Sequence, residues 1–199
     1  MNRNLYSKEL KRNRINFLIW SGVVLAFTIL VLSIFPYMNT MGEEMNLMMS
    51  KLPDGMKKAM GIDGQTFNTI LGMYNTYYGI YIIVILAIYS SSTAATIISK
   101  EEKNKTAEFL FTKPISRKGL FITKLVALIS LSLGAYIIQT TTAFAFIKAL
   151  GNADVRWSAF ITMHIHGLIL TWFFTCIGLF LSMIINAKKN FMGIMVGIV

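Results

Sequence analysis

The residues able to do chemistry fall into a few groups, each defined by what accompanies it. His164 and His166 stand two apart in ITMHIHGL, so on a helix they point to different faces. A zinc-protease helix spaces its ligands four apart as HExxH. No Asp or Glu lies between 157 and 187 to act as a base, so the pair reads as interfacial or packing groups. Seven of the thirteen methionines lie between Met38 and Met60. Clustered thioethers suit Cu(I), but no Cys or His joins them, and methionine also fills apolar gaps or lies against lipid. The only cysteine, Cys176, permits no intrachain disulfide and reads as a small packing residue. Gln139, Thr140, Thr141 and Thr142 are consecutive polar residues in an apolar run. They are candidates to line a pathway, although bonding to a neighbouring helix is the commoner use of such groups. With no carboxylate and no spaced ligand set in the apolar runs, neither a metal site nor an enzyme is expected.

One polar island remains. Residues 99–118 read SKEEKNKTAEFLFTKPISRK. Lys100, Glu101, Glu102, Lys103, Lys105 and Glu108 are followed by Lys113, Arg117 and Lys118, with Phe109, Leu110 and Phe111 in their midst.

The elements around the island are built for hydrocarbon. Of 199 residues, 55% are hydrophobic and 14% charged, with mean hydropathy +0.59; about a quarter charged is usual in soluble domains. Residues 15–42, 64–99, 125–147 and 157–187 contain no Asp, Glu, Lys or Arg. Each exceeds the ~20 residues that cross a bilayer as a helix. The expected fold is all-α, a polytopic helical membrane protein in one transmembrane domain. Four complete spans are expected at 15–35, 77–98, 120–147 and 158–186, with a truncated fifth beginning at 191–199. A basic interfacial helix at 1–14 lies on the inner leaflet, and span one stops at Pro36. The external loop 36–76 carries a short amphipathic helix interrupted by the turn signal Pro53-Asp54-Gly55. The first span is no cleavable signal, being too long and followed by no small-residue cleavage site. In span two, small residues such as Ser91 and Ala95 at four-residue spacing form a close-packing face, within the chain or between chains.

Net charge is +10, and position rather than nucleic acid accounts for it. Five Lys or Arg precede span one and three occupy the next connection. Seven lie in and beside the island, two in the following loop, and two at Lys188 and Lys189. One side therefore holds fourteen and the other five. The positive-inside bias places the N-terminus, the island and Lys188–Lys189 in the cytoplasm of a cell membrane.

Helix–helix connections commonly need about 2–8 residues, and segment 99–119 is much longer. Residues 100–112 favour helix, with Glu101 and Lys105 in the favourable i,i+4 order. Pro114 ends that helix, and Ser116 is suited to cap the next. The three apolar residues near the corner could fold back on the bilayer or fill a groove in a cytosolic partner.

The pattern of Glu101, Glu102, Thr106, Glu108, Phe109, Leu110, Pro114, Ser116, Arg117 and Lys124 directly after span two resembles the permease subunits of ATP-binding cassette transporters of the type-2, mostly exporter, family. Glu9 in the basic leader, Trp20 entering span one, Leu52-Pro53 and Gly61-Ile62 extend the likeness. The resemblance implies six spans in the full-length family, so this chain would be a fragment. It also implies a permease homo- or heterodimer in contact with membrane lipid. Glu101, Glu102, Thr106, Glu108, Phe109, Leu110, Pro114, Ser116 and Arg117 would form the segment that docks a separate cytosolic ATPase, which binds the ATP and Mg²⁺. This sequence has no GxxxxGK[ST] phosphate loop and no Gly-Lys pair, and no cofactor is expected in the chain itself. The rival expectation is a membrane sensor or anchor whose island recruits another cytosolic partner.

Overall fold

A computed structural model describes residues 3–60, 69–103, 116–150, 155–184 and 191–199, and among them there is helix and no strand. Four helical stretches are long and apolar enough to cross a membrane: Arg3–Tyr37, Ile70–Ile97, Arg117–Leu150 and Trp157–Ile184. The chain is an all-α polytopic membrane protein.

Helix α1 runs unbroken over Arg3–Thr40. The leader and the first span are thus one helix, where a separate leader and a stop at Pro36 were expected. Pro36 lacks only its own N–H, which costs the Leu32 carbonyl a partner; a membrane helix tolerates such a loss when its neighbours support it. In the connection between the first two spans, α2 (Gly42–Ser50) and α3 (Asp54–Met60) flank the expected turn. The Pro53 carbonyl accepts from Met56 N at 2.9 Å and Lys57 N at 3.0 Å, starting α3. Asp54 and Lys57 pair across its first turn at 2.9 Å.

The second span begins earlier than the sequence suggested. Thr69 caps α4 (Ile70–Tyr77), its hydroxyl accepting from Gly72 N at 3.1 Å. A π turn, Tyr78–Ile82, then leads into α5 (Ile83–Lys103). Residues 70–76, expected in the external loop, are therefore part of the span. After the undescribed residues 104–115 come α6 (Arg117–Leu150), α7 (Trp157–Ile184) and the short α8 (Phe191–Ile198).

The spans pack as two parallel pairs. Helix α1 lies along α6, with Phe17 against Gly134, and α5 lies along α7. Consecutive crossings are antiparallel, so only alternate spans can pair in parallel. The α4–α5 span is the central one: 61% of its most apolar window is buried, against 28%, 44% and 28% in the others. Its small residues make this possible. Ser90, Ser91, Ser92, Thr93, Ala94 and Ala95 are all buried, and a Cβ on Gly178 would overlap the Ser91 carbonyl. The α5–α7 contact is therefore backbone against backbone. Helix α8 also packs on α5, with Met195 fully buried.

The core divides along the bundle. At the end where α1 starts, Ala94, Ile97, Ala127 and Leu128 meet Tyr6, Leu10 and Leu179. The other end holds a larger, aromatic core that includes Leu32, Tyr74, Tyr78, Leu86, Tyr136 and Phe160.

Candidate functional site

Helices α5 and α6 are the two arms that border residues 104–115. Of the island residues singled out from the sequence, Thr106, Glu108, Phe109, Leu110 and Pro114 lie outside the described residues. Glu101 and Glu102 belong to the last turn of α5. Ser116 stands at the start of α6: its Oγ accepts from Gly119 N at 3.1 Å and its carbonyl from Leu120 N at 2.9 Å. Arg117 is the first residue of that helix and is exposed.

A buried ionic knot ties the arms together. Lys124 Nζ on α6 donates to the Ile97 carbonyl on α5 at 2.7 Å and lies 3.3 Å from Glu9 Oε1 on α1. Arg12 Nη2 donates to both Glu9 carboxylate oxygens at 2.8 Å, and Asn13 Nδ2 donates to the Glu9 carbonyl at 2.9 Å. Glu9 and Lys124 are 1% and 5% exposed. A carboxylate or ammonium taken this far out of water persists only when paired and hydrogen-bonded. The knot fixes three helices to one another at the foot of the two arms. Tyr6 adds a further α1–α6 bond, its hydroxyl donating to Ser130 Oγ at 3.0 Å. Glu9 and Lys124 were visible in the sequence as parts of the family-like pattern. Their pairing was not, although an acid in a basic leader and a lysine at the foot of an apolar run are each a hint.

At the other end, a neutral polar cluster joins α4, the π turn, α6 and α7. His164 Nδ1 is 2.9 Å from the Phe160 carbonyl. A carbonyl only accepts, so Nδ1 carries the proton, and in the neutral ring Nε2 is the acceptor. Tyr74 O–H donates to that Nε2 at 3.3 Å, and Gln139 Nε2 donates to the Tyr74 oxygen at 2.6 Å. A second line starts at Tyr78, whose hydroxyl donates to Tyr136, and Tyr136 donates to the His164 carbonyl. Both lines end at His164. The rings pack as they bond: His164 lies 4.1 Å from Phe160, 4.7 Å from Tyr78 and 5.9 Å, stacked, from Tyr74. Gly167 makes room, because a Cβ there would fall on the Tyr78 hydroxyl.

The candidate pathway residues separate. Gln139 is fully buried within the cluster, and Thr140 reaches its Oε1 at 3.4 Å. Thr141 is exposed and Thr142 half-buried, and each hydroxyl bonds back to its own helix, at the Ile137 and Ile138 carbonyls. His166 is exposed, on the face opposite His164. Sequence reasoning missed Tyr74, Tyr78 and Tyr136, since a tyrosine in an apolar run carries no mark of which face it takes. Among the described residues, no group of three His, Cys, Asp or Glu converges as metal ligands do. The arrangement holds helices in place and offers hydroxyl, amide and imidazole groups.

A family model described as "ABC-2 family transporter protein" matches residues 3–199, which is nearly the whole chain. No curated protein and no solved structure matches.

Proposed function

Because the chain belongs to the ABC-2 family of transporter proteins, and so is the multi-pass membrane permease component of an ATP-binding cassette transporter, we propose that it moves substrate outward across the cell membrane by alternating access. In this reading the N-terminus and residues 104–115 are cytoplasmic. A cytosolic ATPase that binds ATP and Mg²⁺ docks on the segment containing Glu101, Glu102, Thr106, Glu108, Phe109, Leu110, Pro114, Ser116 and Arg117. Two permease subunits, alike or different, work with two such ATPases, embedded in lipid.

The observation that carries the coupling role is the bond from Lys124 to the Ile97 carbonyl, with Glu9 beside it. It closes the base of the segment, so a push on the segment reaches α5 and α6 together. Helix α5 touches α1, α6, α7 and α8, and a displacement at its foot is distributed to every span. The polar cluster at the far end holds α4, α6 and α7 in one of the two arrangements that alternation requires. Gln139 and Thr140 would line the path when those bonds part. Thr141 and Thr142 would face it from the rim.

Replacing Phe109 and Leu110 by Asp tests the docking. Co-purification with the ATPase should be abolished, while membrane insertion and detergent-solubilised yield stay at the parental level. Normal co-purification of the double variant would remove this segment from the coupling role. A chain that inserts but supports no ATP-dependent transport with any ATPase would favour the sensor or anchor reading.

A further inference from the structure

The first fourteen residues carry Arg3, Lys8, Lys11, Arg12 and Arg14 against one acid, Glu9. The structure sorts them by face. Leu5, Glu9 and Asn13, spaced as one helical stripe, are buried, and Tyr6 and Leu10 pack against α5 and α6. Glu9 is bound on that inner side by Arg12 and Lys124. Arg3, Lys8, Lys11 and Arg14 are exposed. The one carboxylate is thus turned inward, and every charge on the outward face of the leader is positive.

The same face changes character within one turn. Lys8, Lys11 and Arg14 are followed by exposed Ile15, Leu18 and Ile19. Positions 11, 14 and 18 share one side of the helix, as do 8, 11 and 15. A surface that passes from ammonium and guanidinium groups to bare aliphatic side chains over about 5 Å of helix rise matches the boundary between phosphate and acyl chain. An acidic protein surface would complement the cations but would leave Ile15, Leu18 and Ile19 uncovered.

We propose that Lys8, Lys11 and Arg14 form a docking surface for anionic phospholipid headgroups in the leaflet where α1 begins. The negative surface of such a leaflet attracts each nearby Lys or Arg, and the attraction falls off within a Debye length. The occupied face is the back of the helix whose front holds Lys124 through Glu9. Headgroup binding therefore steadies the foot of α5 and α6. The binding itself requires neither the ATPase nor transport, and it stands or falls apart from the permease reading.

The full chain in phosphatidylcholine nanodiscs with and without phosphatidylglycerol, examined by native mass spectrometry, tests this. The parent should retain phosphatidylglycerol in preference to phosphatidylcholine, less so as salt rises. Each of K8Q, K11Q and R14Q should lower that preference about fivefold, and the triple variant should abolish it. K57Q with K58Q, on the outer connection, should leave it unchanged. K8R with K11R should preserve it, which separates charge from damage to folding, and the single variants serve if the triple variant misfolds. Undiminished preference in the glutamine variants would overturn the proposal. So would a triple variant that keeps its lipid preference and instead loses the ATPase, since the face would then belong to a protein.

Discussion

Glu9 sits between two cations, and the asymmetry of that knot makes a prediction about single residues. Replacing Lys124 by Met leaves Glu9 its two bonds from Arg12 and takes from the Ile97 carbonyl the ammonium donor it has besides its own helix, which should cost about 1–3 kcal/mol. Replacing Glu9 by Leu removes the carboxylate that Arg12 and Lys124 share and leaves the buried Lys124 ammonium beside the half-buried Arg12 guanidinium, which should cost more, about 3–5 kcal/mol. Thermal unfolding in detergent checks the order, and a less stable Lys124 variant would contradict this account. The glycine beneath the tyrosines offers a second case. Gly167→Ala should destabilise by about 1–3 kcal/mol through overpacking on the Tyr78 hydroxyl. The same change should cost less in a Tyr78→Phe background, because the nearest clashing atom is gone while the Tyr136 hydroxyl and the ring carbon of residue 78 still lie 2.9 Å from the new Cβ, so the two should be measurably non-additive. At this scale the sequence was informative about residue type and silent about partner. Glu9 and Lys124 could be singled out, and the separation of His164 from His166 onto different faces was readable from their spacing. That Tyr74 reaches both Gln139 and His164 depends on three helices meeting, and no local pattern encodes that.

The element most legible in the sequence was the small-residue face of span two. Ser91 and Ala95 point to close packing, and the structure supplies the surface that Ser91 meets, Gly178 on α7. Whether that surface belonged to the same chain was not readable, since a glycine in an apolar helix looks alike from either side. Gly178→Val should force the two backbones apart, which would show as faster proteolysis and a lower melting temperature, while the conservative Ser91→Ala should be nearly silent. Helix ends were less legible. Pro36 is a helix stop in water, but within a membrane segment the missing hydrogen bond is one among many and the helix carries on to Thr40. Span two starts earlier than its sequence suggests because Tyr74, Asn75 and Thr76 look like a polar rim, whereas Tyr74 has no exposed surface.

For the whole molecule, the four charge-free runs were enough to fix the class of fold, because hydrocarbon thickness sets the length of a crossing regardless of detail. They were not enough to fix the arrangement. The pairing of α1 with α6 and of α5 with α7 follows from shape at the contacts. Orientation makes a molecule-scale prediction. In intact cells, an impermeant amine reagent should modify Lys57 and Lys58 and should leave Lys103 and Lys105 untouched until the membrane is opened. The opposite pattern would invert the topology and detach residues 104–115 from any cytosolic ATPase.

The π turn at Tyr78–Ile82 bears on ancestry. Such a turn holds one residue more than an α-helix needs to cover the same height, and it lets α4 keep its facing while α5 keeps its own. A family member whose second crossing is shorter by a single residue at this point should have lost the turn, and the helix on its N-terminal side should be rotated by about 100°. In such a chain the residues standing in for Tyr74 and Gln139 should have changed together, and gaps in an alignment of the family should gather at this one spot in an otherwise ungapped span.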